Sequence, residues 1–185
     1  MAHGGHSGGG HHHHHYRSGG SSTSWGEIFF CLGIALILGI VFTIISNSRL
    51  SGKEPLKGEY ETYPSYVIDE AEYFSETGEL ISGLKYIHEK TNVQVVVMSS
   101  KESWSDAKAV EKYYELFDDE AHVIIICPTS WYSSTVYYAI GDLADTVIDD
   151  YAVDYLIDNV DKSRDGSKWK KYLISLTDSL LEPKE

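Results

Sequence analysis

From Ile28 to Ile45 the chain runs for 18 residues without a charge, an asparagine, a glutamine or a proline. As a helix the run rises roughly 27 Å, close to the thickness of a bilayer's hydrocarbon core. Trp25 precedes it at interfacial depth, and Arg49 and Lys53 follow it. A buried core helix would show a polar face, and this run shows none. A signal peptide would be shorter and would follow a basic segment. Here the preceding stretch is rich in His and Gly, and Ser46-Asn47-Ser48 is a poor cleavage site. The sequence therefore predicts one uncleaved transmembrane helix within residues 25–48, with the lipid bilayer as the partner of residues 28–45.

Residues 1–24 are almost entirely Gly, His and Ser. Without apolar periodicity they cannot offset the entropy of ordering, and they read as a disordered tail. His11 to His15 form an unbroken run. It is a purification tag, a metal-chelating tail or a polar spacer, and the residues leave all three open.

Beyond residue 50 the chain carries 27 acidic against 13 basic residues. Such a surface repels phosphate backbones and excludes nucleic acid as a partner. The two cysteines, Cys31 in the apolar run and Cys127 in the later part, form no disulfide framework. Gly52, Pro55, Gly58 and Pro64 among charges mark residues 49–64 as a linker. From residue 65 to 183 the pattern is that of a globular domain. Leu80, Leu84 and Ile87 predict a helix over 79–90, capped by Ser75 or Thr77. Val93–Met98 reads as a buried strand. Ser103–Phe117 reads as a helix capped by Ser103 or Ser105, with Ala109, Val110, Tyr113, Leu116 and Phe117 inward. His122–Cys127 is a second buried strand, stopped by Pro128, and Ser134–Ile140 a third. Val153, Leu156, Ile157 and Val160 place a helix over 151–160, and Trp169, Leu173, Leu176 and Leu180 mark the last. Strands alternating with helices imply an α/β fold with a mostly parallel sheet sandwiched between helices. The short loop near 127–134 makes its two strands antiparallel.

The segment holds no nucleotide-binding glycine loop and no nucleophile elbow, and no catalytic residue is assigned. Cys127 follows a strand, but only His88 and His122 are available to activate it, and a buried structural thiol is the simpler reading. His88 reads as a surface imidazole and His122 as a strand-edge residue. Aspartate stands out: residues 142–165 hold eight Asp and no Glu. Asp150, Asp154, Asp158, Asp161 and Asp165 follow helical spacing and form one stripe, which is either a solvated face or a cation site that relieves like-charge repulsion. Asp161-Lys162-Ser163-Arg164-Asp165-Gly166 resembles the start of a calcium loop. Its twelfth position, however, is Tyr172 where a bidentate Glu is required. The stronger metal candidate is Asp69, Asp142 and Asp145, because ligands of open α/β sheets gather at strand ends and Gly141-Asp142 follows the third strand. Such a set would take a hard divalent cation, calcium among the candidates.

Tyr66-Val67-Ile68-Asp69-Glu70-Ala71 with Phe74-Ser75, Thr91-Asn92-Val93-Gln94-Val95-Val96-Val97, Val123–Ile126 and Ala139-Ile140-Gly141-Asp142 together resemble the TPM domain family. That family is named for a thylakoid-lumen protein, a photosystem repair protein and a nicotinic-receptor modulator. The resemblance spans about residues 66–180. It implies an α/β sandwich tethered by one membrane helix beside a Gly-rich tail, although the order tail–helix–domain reverses the order common in bacterial members. It also implies a domain outside the cytoplasm, whereas Arg49, Lys53 and Lys57 after the helix favour the cytoplasmic side. We side with the resemblance. Acid phosphatase activity and calcium binding belong to some members. No phosphatase nucleophile motif stands here, so only Asp69 and Asp142 carry over, as candidate cation ligands. Three functions follow as expectations: a membrane-anchored, non-catalytic interaction and assembly module with a membrane-protein partner; a metal-assisted acid phosphatase; and a calcium-binding structural module.

Overall fold

The structure, a computed structural model, describes residues 50–129 and 135–184. The tail and the apolar run 28–45 lie outside the described residues. Among the described residues no helix is long and apolar enough to cross a membrane. The fold is α/β. Strands β1 (Val67–Asp69), β2 (Gln94–Ser100), β3 (His122–Pro128) and β4 (Tyr137–Ile140) form one sheet in the order β1-β2-β3-β4. β1, β2 and β3 run parallel, and β4 is antiparallel to β3. Helix α1 (Thr77–Thr91) joins β1 to β2, and α2 (Asp106–Leu116) joins β2 to β3. After β4 come α3 (Asp142–Asp145), α4 (Asp150–Val160) and α5 (Gly166–Leu181).

β2 and β3 are buried along nearly their whole length, as their unbroken apolar runs predict. Alternate residues feed two cores. Val95, Val97, Val123, Ile125 and Cys127 face α1, α4 and α5 and pack with Leu80, Leu84, Leu156, Trp169 and Leu173. Val96, Met98, Ile124, Ile126 and Ala139 face α2 and pack with Ala109, Tyr113 and Phe117. α1 and α5 touch closely at Gly83, where a Cβ would stand 2.8 Å from the Lys170 Cα. Glycine is therefore what allows the two helices to approach there.

Several boundaries differ from the sequence reading. β1 goes unrecognised in the sequence because three half-buried residues show no alternation. The third predicted strand starts at Tyr137. Helix α2 begins at Asp106, with the Ser105 side chain accepting from the Lys108 amide. Helix α1 starts from Glu76 in a left-handed conformation with no side-chain cap. Val110, expected to face inward, is 46% exposed.

The stretch read as a linker is irregular, but it is fastened to the domain over its described part. Leu50 is buried, and the amides of Gly52 and Lys53 donate to the carbonyls of Glu182 and Leu180. Lys53 Nζ lies 2.8 Å from Asp149 Oδ2. Leu56 N donates to Thr91 O, and Asn92 Nδ2 donates to the carbonyls of Leu56 and Gly58. Glu61 N donates to Asp119 Oδ2, and the Gln94 side-chain amide clamps Tyr63 through both backbone groups. Glycine, proline and charge forbid regular structure here without forbidding docking, because the backbone groups are satisfied one by one.

Candidate functional site

The sequence-predicted metal candidates do not converge. Asp69 ends β1, level with Ser99 of β2, and Ser99 in turn pairs with Cys127 near the end of β3. Asp142 follows β4, which pairs Ile140 with Val123 at the start of β3. Four residues along β3 and three inter-strand spacings therefore separate Asp69 from Ile140, about 13 Å along the strands and about 14 Å across them, and Asp142 lies two residues further on. Antiparallel β4 is the physical reason: it delivers its carboxyl end to the amino ends of β2 and β3. Asp145 stays with Asp142 in α3, away from Asp69.

Asp69 is engaged locally. Its Oδ1 accepts from Ser99 Oγ at 2.5 Å and from Tyr73 N at 2.8 Å, and its Oδ2 accepts from Phe74 N at 3.2 Å. These bonds close the turn between β1 and α1, the ordinary role of an aspartate at a strand end. The calcium-loop look-alike is likewise absorbed by capping. Asp161 is the left-handed C-cap of α4 (φ 47), and Asp165 caps α5 by accepting from Ser167 N at 2.8 Å. Of the rest of the stripe, Asp150, Asp154 and Asp158 are exposed, opposite buried Val153, Leu156 and Val160. Asp154 Oδ1 accepts from Tyr138 Oη at 3.2 Å. Among the described residues no group of three or more His, Cys, Asp or Glu stands close enough to hold a metal ion.

Cys127 is 4% exposed, and burial pushes its thiol up to about 12. His122 starts the same strand, five residues away or roughly 17 Å, too far to take the thiol's proton. His122 is buried and stacks on Phe117 at 4.3 Å and 8°. Its Nδ1 is 2.8 Å from Asp119 Oδ1, an ion-pair distance rather than an aligned hydrogen bond. Its sequence reading as a strand-edge residue is correct in position and misses the burial. His88 is half-buried, with Nδ1 2.8 Å from the Tyr66 hydroxyl. Burial, then the neighbouring His122, hold its pKa below the usual imidazole range.

The large exposed apolar side chains of the described residues lie on α2 and α3. Val110, Tyr114 and Leu143 are exposed by 46%, 64% and 41%, and among the described residues they are the exposed large apolar side chains. Val110 and Tyr114 are one helical turn apart. Leu143 lies on α3, whose Ala144 and Asp142 amides donate to the Glu120 carbonyl and carboxylate. The Tyr114 hydroxyl sits by Glu120 and Asp142. The Glu120 charge, some burial, a hydrogen bond to Glu120 and the Asp142 charge all raise its pKa. Behind the ring, buried Tyr113 packs edge-on at 5.2 Å and donates to Asp119 O. Between α2 and β2 lies a cleft of about 250 Å³ lined by Met98, Ser100, Trp104, Lys108 and Lys112 among four glutamates.

The signal for this surface is present in the sequence. Adding Val110 and Tyr114 to Ala109, Tyr113, Leu116 and Phe117 gives α2 an apolar arc too wide for a helix with one buried face.

No protein-family model and no curated protein sequence matches the chain. Among solved structures, the fold is similar to the N-terminal domain of the cg2496 protein from Corynebacterium glutamicum, with a TM-score of 0.48 at 11% identity, over 68% of this chain and 84% of that one.

Proposed function

We propose that the chain is a membrane-tethered, non-catalytic interaction module whose α/β domain engages a membrane-protein partner on the extracytoplasmic side. The carrying observation is the segregation of its surface. Residues 106–145, which include α2 and α3, hold eight acidic and two basic residues, whereas α1 and α5 together hold five lysines and three acids. The acidic part also presents Val110, Tyr114 and Leu143 to solvent. An apolar centre inside a charged rim is the composition of a protein-binding surface. The tether itself rests on the 18-residue apolar run. The separation of Asp69 from Asp142 weighs against the phosphatase reading, which needs both aspartates at one phosphoryl group.

The test is extraction of native membranes with alkaline carbonate. The full chain is expected in the pellet, and a chain lacking residues 28–45 in the wash. A full chain that washes off removes the tether.

A further inference from the structure

We infer that the outer face of α2, together with the start of α3, is a docking surface for a basic segment of a partner protein that carries apolar anchors one helical turn apart. This rests on the reading of the chain as an interaction module and names the chemistry of its partner. Val110 and Tyr114 lie at i and i+4, so their side chains stand roughly 6 Å apart on one stripe. Asp106 is one turn before Val110 on the same stripe. The Glu120 and Asp142 carboxylates act on the Tyr114 hydroxyl, and Leu143 and Asp145 follow Asp142 along α3.

The Tyr114 ring is held against Tyr113, at 5.2 Å and an interplanar angle of 81°, and Tyr113 is itself buried and bonded to Asp119 O. A pre-positioned aromatic loses little freedom on binding, which suits it to anchor a contact.

The acidic rim selects the occupant. It repels an anionic lipid surface. A second copy of the chain docked face to face would set the same carboxylates against each other. A partner with lysines or arginines around leucine-sized anchors meets both the charge and the apolar centre, and its approach is accelerated by the field of these carboxylates.

The probe is the peptide acetyl-Lys-Leu-Lys-Lys-Leu-Lys-amide, with the same peptide carrying Ser for both Leu as control. It is titrated into the isotope-labelled full chain in zwitterionic micelles, with empty micelles as blank. The expected result is saturable binding of the leucine peptide, with amide shifts centred on Val110, Tyr114 and Leu143. Tyr114→Ala should weaken it by at least about fivefold. Asp154→Asn with Asp158→Asn, on α4 across the sheet, should change it by less than about twofold. Equal binding of the serine peptide would overturn the proposal, as would shifts centred on α4, an unchanged affinity in Tyr114→Ala, or no saturable binding. Carbonate extraction reads the tether independently. A chain that stays in the membrane and ignores the peptide loses the docking surface alone, and a chain that washes off yet binds the peptide loses the tether alone.

Discussion

The two faces of the sheet are built differently. On one, α1, α4 and α5 lie over Val95, Val97, Val123 and Ile125 and bury Leu80, Leu84, Ile87, Leu156, Trp169 and Leu173 almost completely. On the other, the 11-residue α2 and the strap around Tyr63 cover Val96, Met98, Ile124 and Ile126. The first face is thick and aliphatic, and each fully buried Leu or Ile there contributes about 1.5–3 kcal/mol. The second is thin, with one helix over it; each face buries three polar residues, His122, Gln94 and Ser100 here and Thr91, Ser99 and Thr177 opposite. The second also leaves an exposed apolar patch upon α2. The contrast shows how a domain this small can divide its work. Stability concentrates where three helices pack, which leaves the single helix opposite free to present side chains that the fold does not need.

The contrast can be broken most sharply at Trp169, which is 1% exposed and whose indole donates to Ser163 O at 2.8 Å. Trp169→Ala should cost about 3–5 kcal/mol, read by denaturant unfolding of the full chain in micelles. A cost below about 1 kcal/mol would mean the thick face does not carry the fold.

The next effect tests the thin face where it is tight. A Cβ at Gly141 would collide with the Tyr113 hydroxyl and the Glu120 backbone. Gly141→Ala should therefore cost about 1–3 kcal/mol, less than Trp169→Ala because the clash is local. Equal costs would erase the distinction between the faces.

The third effect is a pH dependence set by burial. The Cys127 thiol, ordinarily near 9.0, is pushed up to about 12, and burial also raises the Tyr113 hydroxyl above its usual 10.0. Above pH 9 the unfolded chain loses protons that the folded chain keeps. The stabilisation is thus complete below pH 9 and declines as pH rises toward 12, by about 1 kcal/mol at pH 10. Cys127→Ala should flatten the first part of that decline, measured by melting temperature across pH 8 to 10. An identical slope in that variant would remove the thiol from the account.

Much of this fold is legible in the sequence, because β2, β3, α4 and α5 are marked by runs or periods of Val, Ile and Leu. The antiparallel turn into β4 is equally plain from the short connection after Pro128. β1 is not legible, since Val67–Asp69 is too brief to alternate. Nor is the docking of residues 50–64, which depends on single bonds to Glu182, Thr91 and Asp119 far along the chain. The acidic candidates mislead for a related reason. Asp69, Asp161 and Asp165 serve turns and caps that composition alone does not distinguish from ligands. The antiparallel direction of β4 also sends Asp142 to the far end of the sheet.

The central claim is that the patch on α2 and α3 is spare to the fold and available to a partner. Its most direct test is the melting temperature of a Tyr114→Ser, Leu143→Ser double variant of the full chain. The account predicts a midpoint within about 2 °C of the parent, because neither side chain packs in either core. A fall of more than about 5 °C would show that the patch belongs to the fold and would contradict the division between the two faces.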